Sequence, residues 1–236
     1  MPEHLNLQGR STFAKGDVEQ GFKEADRIFE SEFYSGRQHQ GYLEPRACAV
    51  AIEADGTVRV WSSTKARYRL RGLLASLFGL ETDKVVLEPV SLGGDFGGKG
   101  AIGHEAIAYL LAKETGRPIR ILRSYAEELM AGNPRHGLVM RTKTGVKIDG
   151  TIMARDVEMF VDGGAYAAPK ASPTLTIPSV MRVMGPYRIP HTRLVANFCY
   201  TNTPPGGSMR APGQPQVVFA GESEIDIIAK ELGLSL

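Results

Sequence analysis

The sequence predicts an α+β fold with mixed or antiparallel sheets and packed helices. Three observations carry this. Strand-like segments come in pairs joined by Asp-Gly turns, at Asp55-Gly56 and Asp149-Gly150. Helical segments interrupt those pairs and do not alternate regularly with single strands, which argues against a doubly wound sheet. The chain has 236 residues, 42% hydrophobic and 23% charged, enough core for one large domain or two small ones.

Along the chain, Met1 to Lys15 is polar and lacks the apolar core of a signal peptide. Asp17 to Arg27 brings Val18, Phe22 and Ala25 together as a short helix, and Ile28 to Tyr34 alternates as a strand. Arg46 to Ile52 and Thr57 to Trp61 form the first hairpin. Thr64 is placed to cap a helix reaching Phe78, with Leu70, Leu73, Leu74 and Leu77 on one face and Gly79 as its stop. Val85 to Val90 reads as a buried strand, His104 to Thr115 as a helix ended by Gly116, and Pro118 to Leu122 as a strand. Ser124 and Glu127 have capping-box spacing. Leu138 to Lys147 and Thr151 to Val161 make the second hairpin. Asp162 to Pro173 is small and irregular, and Arg193 to Tyr200 is a strand. Residues 203–215 are too rich in Pro and Gly for regular structure, and a last helix covers about Val217 to Leu232 with Ile225, Ile228 and Leu232 at core spacing.

Charge excludes little but guides. With 28 basic and 26 acidic residues the net charge is +2, which gives no reason to expect nucleic acid as a partner. No apolar run is long enough to span a bilayer, so no membrane is expected and the cytoplasm is the default location. Cys48 and Cys199 lie far apart in strand-like surroundings and read as buried thiols. The five histidines are not paired at metal-ligand spacing.

Three segments carry chemistry. The first, Gly93 to Gly100, is mostly glycine, a residue whose conformational entropy makes a cluster costly to order unless something must approach the backbone. A glycine loop between strand and helix turns bare N–H groups and a helix N-terminus toward an anion. Gly93, Gly98 and Lys99 also fit a P-loop, with Asp162 as a metal-binding partner, but Gly100 stands where a hydroxyl should bind Mg²⁺. The second, Met209 to Gln216, presents Arg210 on a rigid loop ahead of a helix start, and its fork of donors suits an oxo-anion. The third, Gln38 to Arg46, holds His39, read as solvated, and Glu44, read as paired with Arg46 or a backbone amide.

In this order and spacing the three segments resemble the molybdenum-binding subunit of the xanthine dehydrogenase and aldehyde oxidase family. Gly93 to Lys99 looks like the family's G-G-x-F-G-G-K loop, Met209 to Gln216 like its aromatic-Arg-x-x-G-x-P segment, and Gln38 to Glu44 like its Q-x-H-x-x-L-E segment with Gln40 for the usual His. The resemblance implies a molybdopterin cofactor carrying Mo, in bacteria often as the cytosine dinucleotide, with the metal held by the pterin and not by side chains. It implies cofactor contacts at Gly94, Phe96, Gly97, Gly98, Arg210, Ala211 and Lys65, the last standing where the family usually has Gln. It places Gly100, Pro178 and Pro212 at substrate positions. No catalytic residue falls in this chain, because the base belongs to a downstream part. The implied reaction is hydroxylation of an aldehyde or N-heteroaromatic carbon with oxygen from water. Electrons then pass to a [2Fe-2S] centre and FAD in partner subunits. The 236 residues correspond to the first half of a molybdopterin-binding domain, with sub-lobes at about 1–100 and 101–236. The family's small upstream domain and its second half lie outside them, so the isolated chain is expected to be inactive. Alternatives are a non-catalytic remnant or assembly module of the same fold and a P-loop-like nucleotide binder.

Overall fold

A computed structural model describes residues 6–100, 102–167 and 181–235. The elements are β1 (Leu7–Lys15), α1 (Val18–Glu24), β2 (Arg27–Ser35), β3 (Ala47–Ile52), β4 (Val58–Ser62), α2 (Arg67–Phe78), β5 (Val85–Glu88), α3 (Glu105–Thr115), β6 (Ile119–Leu122), α4 (Tyr125–Ala131), β7 (Leu138–Val146), β8 (Ile152–Gly164), β9 (His191–Tyr200) and α5 (Gln214–Leu232). The α+β class with mixed sheets is borne out. The chain forms two compact units interleaved in sequence, and none of their boundaries falls near residue 100. The first unit takes residues 1–38, 135–206 and 211–236; the second takes 39–134 and 207–210.

In the first unit a five-stranded sheet runs in the order β1-β9-β8-β7-β2, with β8 and β9 parallel and the other pairs antiparallel. One face packs Met140, Val157, Met159, Leu194, Ala196 and Phe198 against Val217 and Ala220 of α5. The other face is a lattice of charge, with Glu32–Arg141 at 2.8 Å, Glu30–Lys143 at 2.9 Å and Asp156–Arg193 at 2.5 Å joining neighbouring strands. Strand β1 lies in a segment where the sequence predicts no element. It is an edge strand whose residues are mostly half-exposed or exposed, so no apolar alternation marks it. Strand β8 also continues through Asp162 to Gly164, where small residues suggest a loop.

The second unit holds a four-stranded sheet, β5-β4-β3-β6, with β4 and β5 parallel. Cys48, Val50, Val58, Val60 and Val85 pack on one face against α2 and α3, which contribute Leu70, Leu74, Ala75, Ala108, Tyr109 and Ala112. Only half of the expected leucine stripe on α2 is buried: Leu73 and Leu77 are exposed. Thr64 is not the α2 cap; Ala66 holds that position, and the Thr64 hydroxyl accepts from the Ala66 amide at 3.1 Å. The Ser124 capping box and the left-handed stops at Gly79 and Gly116 are as the sequence implies. Both cysteines are free. Cys48 is buried, and Cys199 is only partly so. Burial pushes the Cys48 thiol up to about 12.

A polar cluster sits inside the first unit. Arg155 and Glu224 are fully buried and pair at 3.2 Å. Arg155 also donates to Thr144 Oγ1 at 3.1 Å and to the Val183 carbonyl at 2.9 Å, while the Thr144 hydroxyl donates to Glu224 at 2.9 Å. A buried pair contributes little by itself, but losing one partner strands a charge. Glu224→Leu alone should cost about 3–5 kcal/mol in urea unfolding, and Arg155→Met with Glu224→Leu should recover most of that loss.

Candidate functional site

The glycine loop lies wholly in the second unit and is held from several sides. Lys99 is 1% exposed. Its ammonium reaches Glu44 Oε2 at 2.6 Å and lies 4.6 Å from the Tyr42 ring centroid. The same Glu44 oxygen accepts the Gly93 amide at 2.9 Å. Glu44 therefore does pair with a backbone amide, as the sequence suggests, whereas the Lys99 ammonium is turned inward onto Glu44 and not toward an incoming anion. A P-loop role is thereby excluded, because the lysine that would reach a phosphate is buried against its own carboxylate. Asp162, the second element of that reading, lies in the first unit and pairs with Arg37 at 3.0 Å.

Asp95 organises the loop from the other side. Its carboxylate accepts the Gly97 amide at 2.7 Å and the Lys99 amide at 2.5 Å, and its carbonyl accepts from Gly98 at 2.8 Å. Lys65 Nζ lies 2.9 Å from Asp95 Oδ2. The loop amides expected to stand bare are therefore partly turned inward. Among the described residues, those of Gly94, Asp95, Phe96 and Gly100 have no partner. The first turn of α3 is not open either: its own Glu105 carboxylate accepts the Gly103 amide and the Ser62 hydroxyl, each at 2.6 Å.

The loop meets the turn before Arg210. The Arg210 amide donates to the Phe96 carbonyl at 2.7 Å. A Cβ on Gly97 would sit 2.7 Å from the Ser208 carbonyl oxygen and 3.1 Å from Met209 Cα, and Gly97 has φ +106°. Only glycine satisfies both demands. Phe96 takes a positive φ of 46° and leaves its ring half-exposed. Such a conformation persists only where its surroundings over-determine it. Phe96, Gly97 and Arg210 are thus brought together as the sequence suggests. Gly100 packs against Lys65, since a Cβ there would lie 3.0 Å from Lys65 Cε. Ala211 and Pro212 belong to the first unit, where Ala211 has φ +55° and its carbonyl accepts the Gln214 amide at the start of α5. Pro178 lies outside the described residues.

Beneath the loop, Gln40 is buried and its Nε2 donates to the Asn133 and Ser208 carbonyls, both at 2.8 Å. Two carbonyl partners fix the amide orientation and leave Oε1 buried without a donor. Arg46 donates to the Gly98 carbonyl and to Asn133 Oδ1. Glu128, fully buried, accepts from the Tyr42 hydroxyl and from the Arg46 amide at 3.0 Å, with the Arg46 and Arg123 guanidiniums at 3.3 and 3.7 Å. His39 is not solvated. Its side chain is largely buried, its ring lies 5.0 Å from that of Tyr42, and Nε2 lies 4.0 Å from Glu128. Sequence reasoning missed Asp95, Tyr42, Asn133 and Glu128, and named Arg46 only as a partner for Glu44, whereas it binds Gly98, Asn133 and Glu128. The opposite charges of Glu44 and Lys99 in two separate motifs were a usable signal for that pair. For Glu128 there was none, because its neighbours Leu129 and Met130 are exposed.

Comparison with known proteins decides the family. The family model of the molybdopterin cofactor-binding domain matches residues 2–236. The chain belongs to that family. It is 34% identical over 232 residues to a probable xanthine dehydrogenase subunit of Bacillus subtilis (strain 168), covering 98% of this chain and 31% of that one. It is 34% identical over 219 residues to the nicotinate dehydrogenase large molybdopterin subunit of Eubacterium barkeri, covering 93% and 51%. Among solved structures, the aldehyde oxidoreductase of Desulfovibrio gigas superposes with a TM-score of 0.90 at 30% identity, covering 99% of this chain and 26% of that one. The chain therefore spans between a quarter and about half of these relatives. Among the described residues no helix is long and apolar enough to cross a membrane, and no cluster of three or more His, Cys, Asp or Glu is placed to hold a metal.

Two outcomes follow from the loop. Gly97→Ala should destabilise the second unit by about 1–3 kcal/mol through a strained φ and the clash with Ser208, and should speed hydrogen exchange at the Arg210 amide. Burial alone would raise the Glu128 carboxyl, but the Tyr42 hydroxyl, the Arg46 amide and the two guanidiniums outweigh it and hold it below its ordinary value. A depressed folded value gives stability that is full above the unfolded value, about 4.3, and is lost as pH falls through the folded one. Urea midpoints should fall on acidification below that point, and Glu128→Gln should flatten the fall.

Proposed function

We propose that this chain is the cofactor-binding part of a molybdenum hydroxylase that oxidises an aldehyde or N-heteroaromatic compound with water as the oxygen source. The observation that carries the reading is the close fit of Phe96 and Gly97 against Ser208 to Arg210, within a chain of the molybdopterin-binding family. The residues fit such a guest. The backbone at Gly97 leaves no room for a side chain, the amides of Gly94, Asp95 and Phe96 lack partners among the described residues, and Gln40 Oε1 is an orphaned acceptor beneath them. Amides of this kind bind the oxygen and nitrogen acceptors of a pterin, and an acceptor takes one of its N–H groups.

Gly94, Phe96, Gly97, Gly98 and Arg210 form the cofactor face, with Lys65 beside it and Ala211 following in sequence. Gly100, Pro178 and Pro212 are assigned to the substrate side. The bound cofactor, proposed as the cytosine dinucleotide form, supplies the redox chemistry at its molybdenum. The chain's own residues bind and orient it. The names of the two bacterial relatives, each a subunit, support partners that carry the rest of the molybdenum subunit, the [2Fe-2S] centre and FAD. The chain is accordingly read as the first half of the molybdopterin-binding domain.

Metal and nucleotide analysis of the complex purified from its native source should give molybdenum with a pterin dinucleotide. A complex with no cofactor would favour the assembly-module reading. The chain purified alone should not turn over aldehydes with an artificial electron acceptor, and turnover would contradict its assignment as a part.

A further inference from the structure

We infer that the Asp95 carboxylate is a built-in occupant of an oxo-anion site in the glycine loop, which a bound oxo-anion must displace to reach the Gly97 and Lys99 amides and the Lys65 ammonium. The inference deepens the molybdopterin reading and rests on it only for the identity of the guest.

The donor set is that of an anion site. Two main-chain N–H groups and one ammonium converge on the two oxygens of a single carboxylate, at 2.7, 2.5 and 2.9 Å. Loop amides together with a cation are what an oxo-anion requires. Two more groups fix the arrangement. The Lys99 carbonyl accepts the Lys65 amide at 3.2 Å and the Thr64 hydroxyl at 3.1 Å, so the Lys65 backbone is tied to the loop. Gly100 leaves space for the Lys65 methylenes, which any side chain there would push aside.

Lys65, Asp95 and Gly100 therefore form one set. A lysine where the pattern has glutamine adds a charge to the site, and Asp95 cancels it. Displacement starts from the lysine side: the Lys65 side chain is 47% exposed and within reach of a competing ion, while that of Asp95, 14% exposed, is largely covered. The remaining loop contacts do not involve the Asp95 side chain. The Lys99–Glu44 pair and the Arg46 bond to Gly98 hold the loop when Asp95 swings away. Two sources share the oxo-anion chemistry: a phosphoryl group of the cofactor and an oxo ligand of its metal.

The test is a titration of the full 236-residue chain with inorganic phosphate and with molybdate, followed through its amide resonances. Asp95→Ala should bind one of the two about tenfold more tightly than the unmodified chain, equivalent to about 1.4 kcal/mol of removed competition, with the largest shifts at Gly97 and Lys99. Preference for phosphate assigns the site to a phosphoryl group, and preference for molybdate assigns it to a metal oxo ligand. Asp95→Ala with Lys65→Met should lose the gain. Should Asp95→Ala fail to fold, Asp95→Asn, which keeps one acceptor for the loop, carries the same expectation. Unchanged affinity for both ions, or a gain that survives loss of Lys65, overturns the inference. Molybdopterin in the native complex together with no gain in Asp95→Ala would leave the functional reading standing and remove this one. A gain in a chain whose native complex holds no pterin would do the reverse.

Discussion

A buried ammonium sets the terms for the second unit. Lys99 is shut away from solvent, so its charge depends on Glu44 and on the face of Tyr42. Both partners come from the Gln38 to Arg46 segment, and Glu44 takes the first loop amide at Gly93 while Tyr42 reaches Glu128. Glu128 in turn holds Arg46, whose guanidinium grips the Gly98 carbonyl. The glycine loop is thus bracketed by fixed polar contacts. The entropy lost on ordering glycine is offset by charge-assisted hydrogen bonds, individually stronger than neutral ones. The loop is a preformed scaffold rather than a flexible trap.

The first unit applies the same device to the Pro-rich run that starts at Thr203. Asp162, at the end of β8, accepts from Arg37 Nη1, from the Gly164 amide and from the hydroxyls of Thr201 and Thr203, while Arg37 also reaches the Pro204 carbonyl. Gly164 lets Pro204 and Pro205 lie directly on the strand end. The Pro-rich run is latched as far as Gly206, whose amide donates to the Gly163 carbonyl at 3.2 Å. Burial would raise the Asp162 carboxyl, yet these donors hold it below its ordinary value, so it stays charged and the latch stays closed across the neutral range.

Much of this was legible in the sequence, for identifiable reasons. Hairpins at Asp55-Gly56 and Asp149-Gly150, the Ser124 box and the Gly116 stop are local chemistry, decided within a few residues. Strand β1 was not legible, because an edge strand has one unpaired side and few apolar residues to bury. The interleaving of the units was also hidden, since it depends on which distant segments meet. At the site, Gly97 and Arg210 could be picked out because backbone approach demands particular residue types. Asp95 could not: at the variable position of its motif a carboxylate reads as one more solvated charge until its three donors are seen. The position of His39 failed similarly, because burial of a histidine depends on Tyr42 and Glu128 finding it.

A charge change in a binding motif therefore has no meaning by itself. Lys65, taken singly, adds a positive charge where the family resemblance implies a neutral amide, and that argues for a damaged site. Asp95 lies thirty residues away in sequence and 2.9 Å away in space, and it removes the net charge while keeping a donor in place. Glutamine offers its N–H groups at no electrostatic cost to its neighbours. A lysine can offer the same donors only if something carries the counter-charge between guests. Asp95 fills that role, and Gly100 makes the room. The three positions depend on one another sterically and electrostatically, so altering any one without the others leaves either an unbalanced ammonium or an unfilled pair of amides.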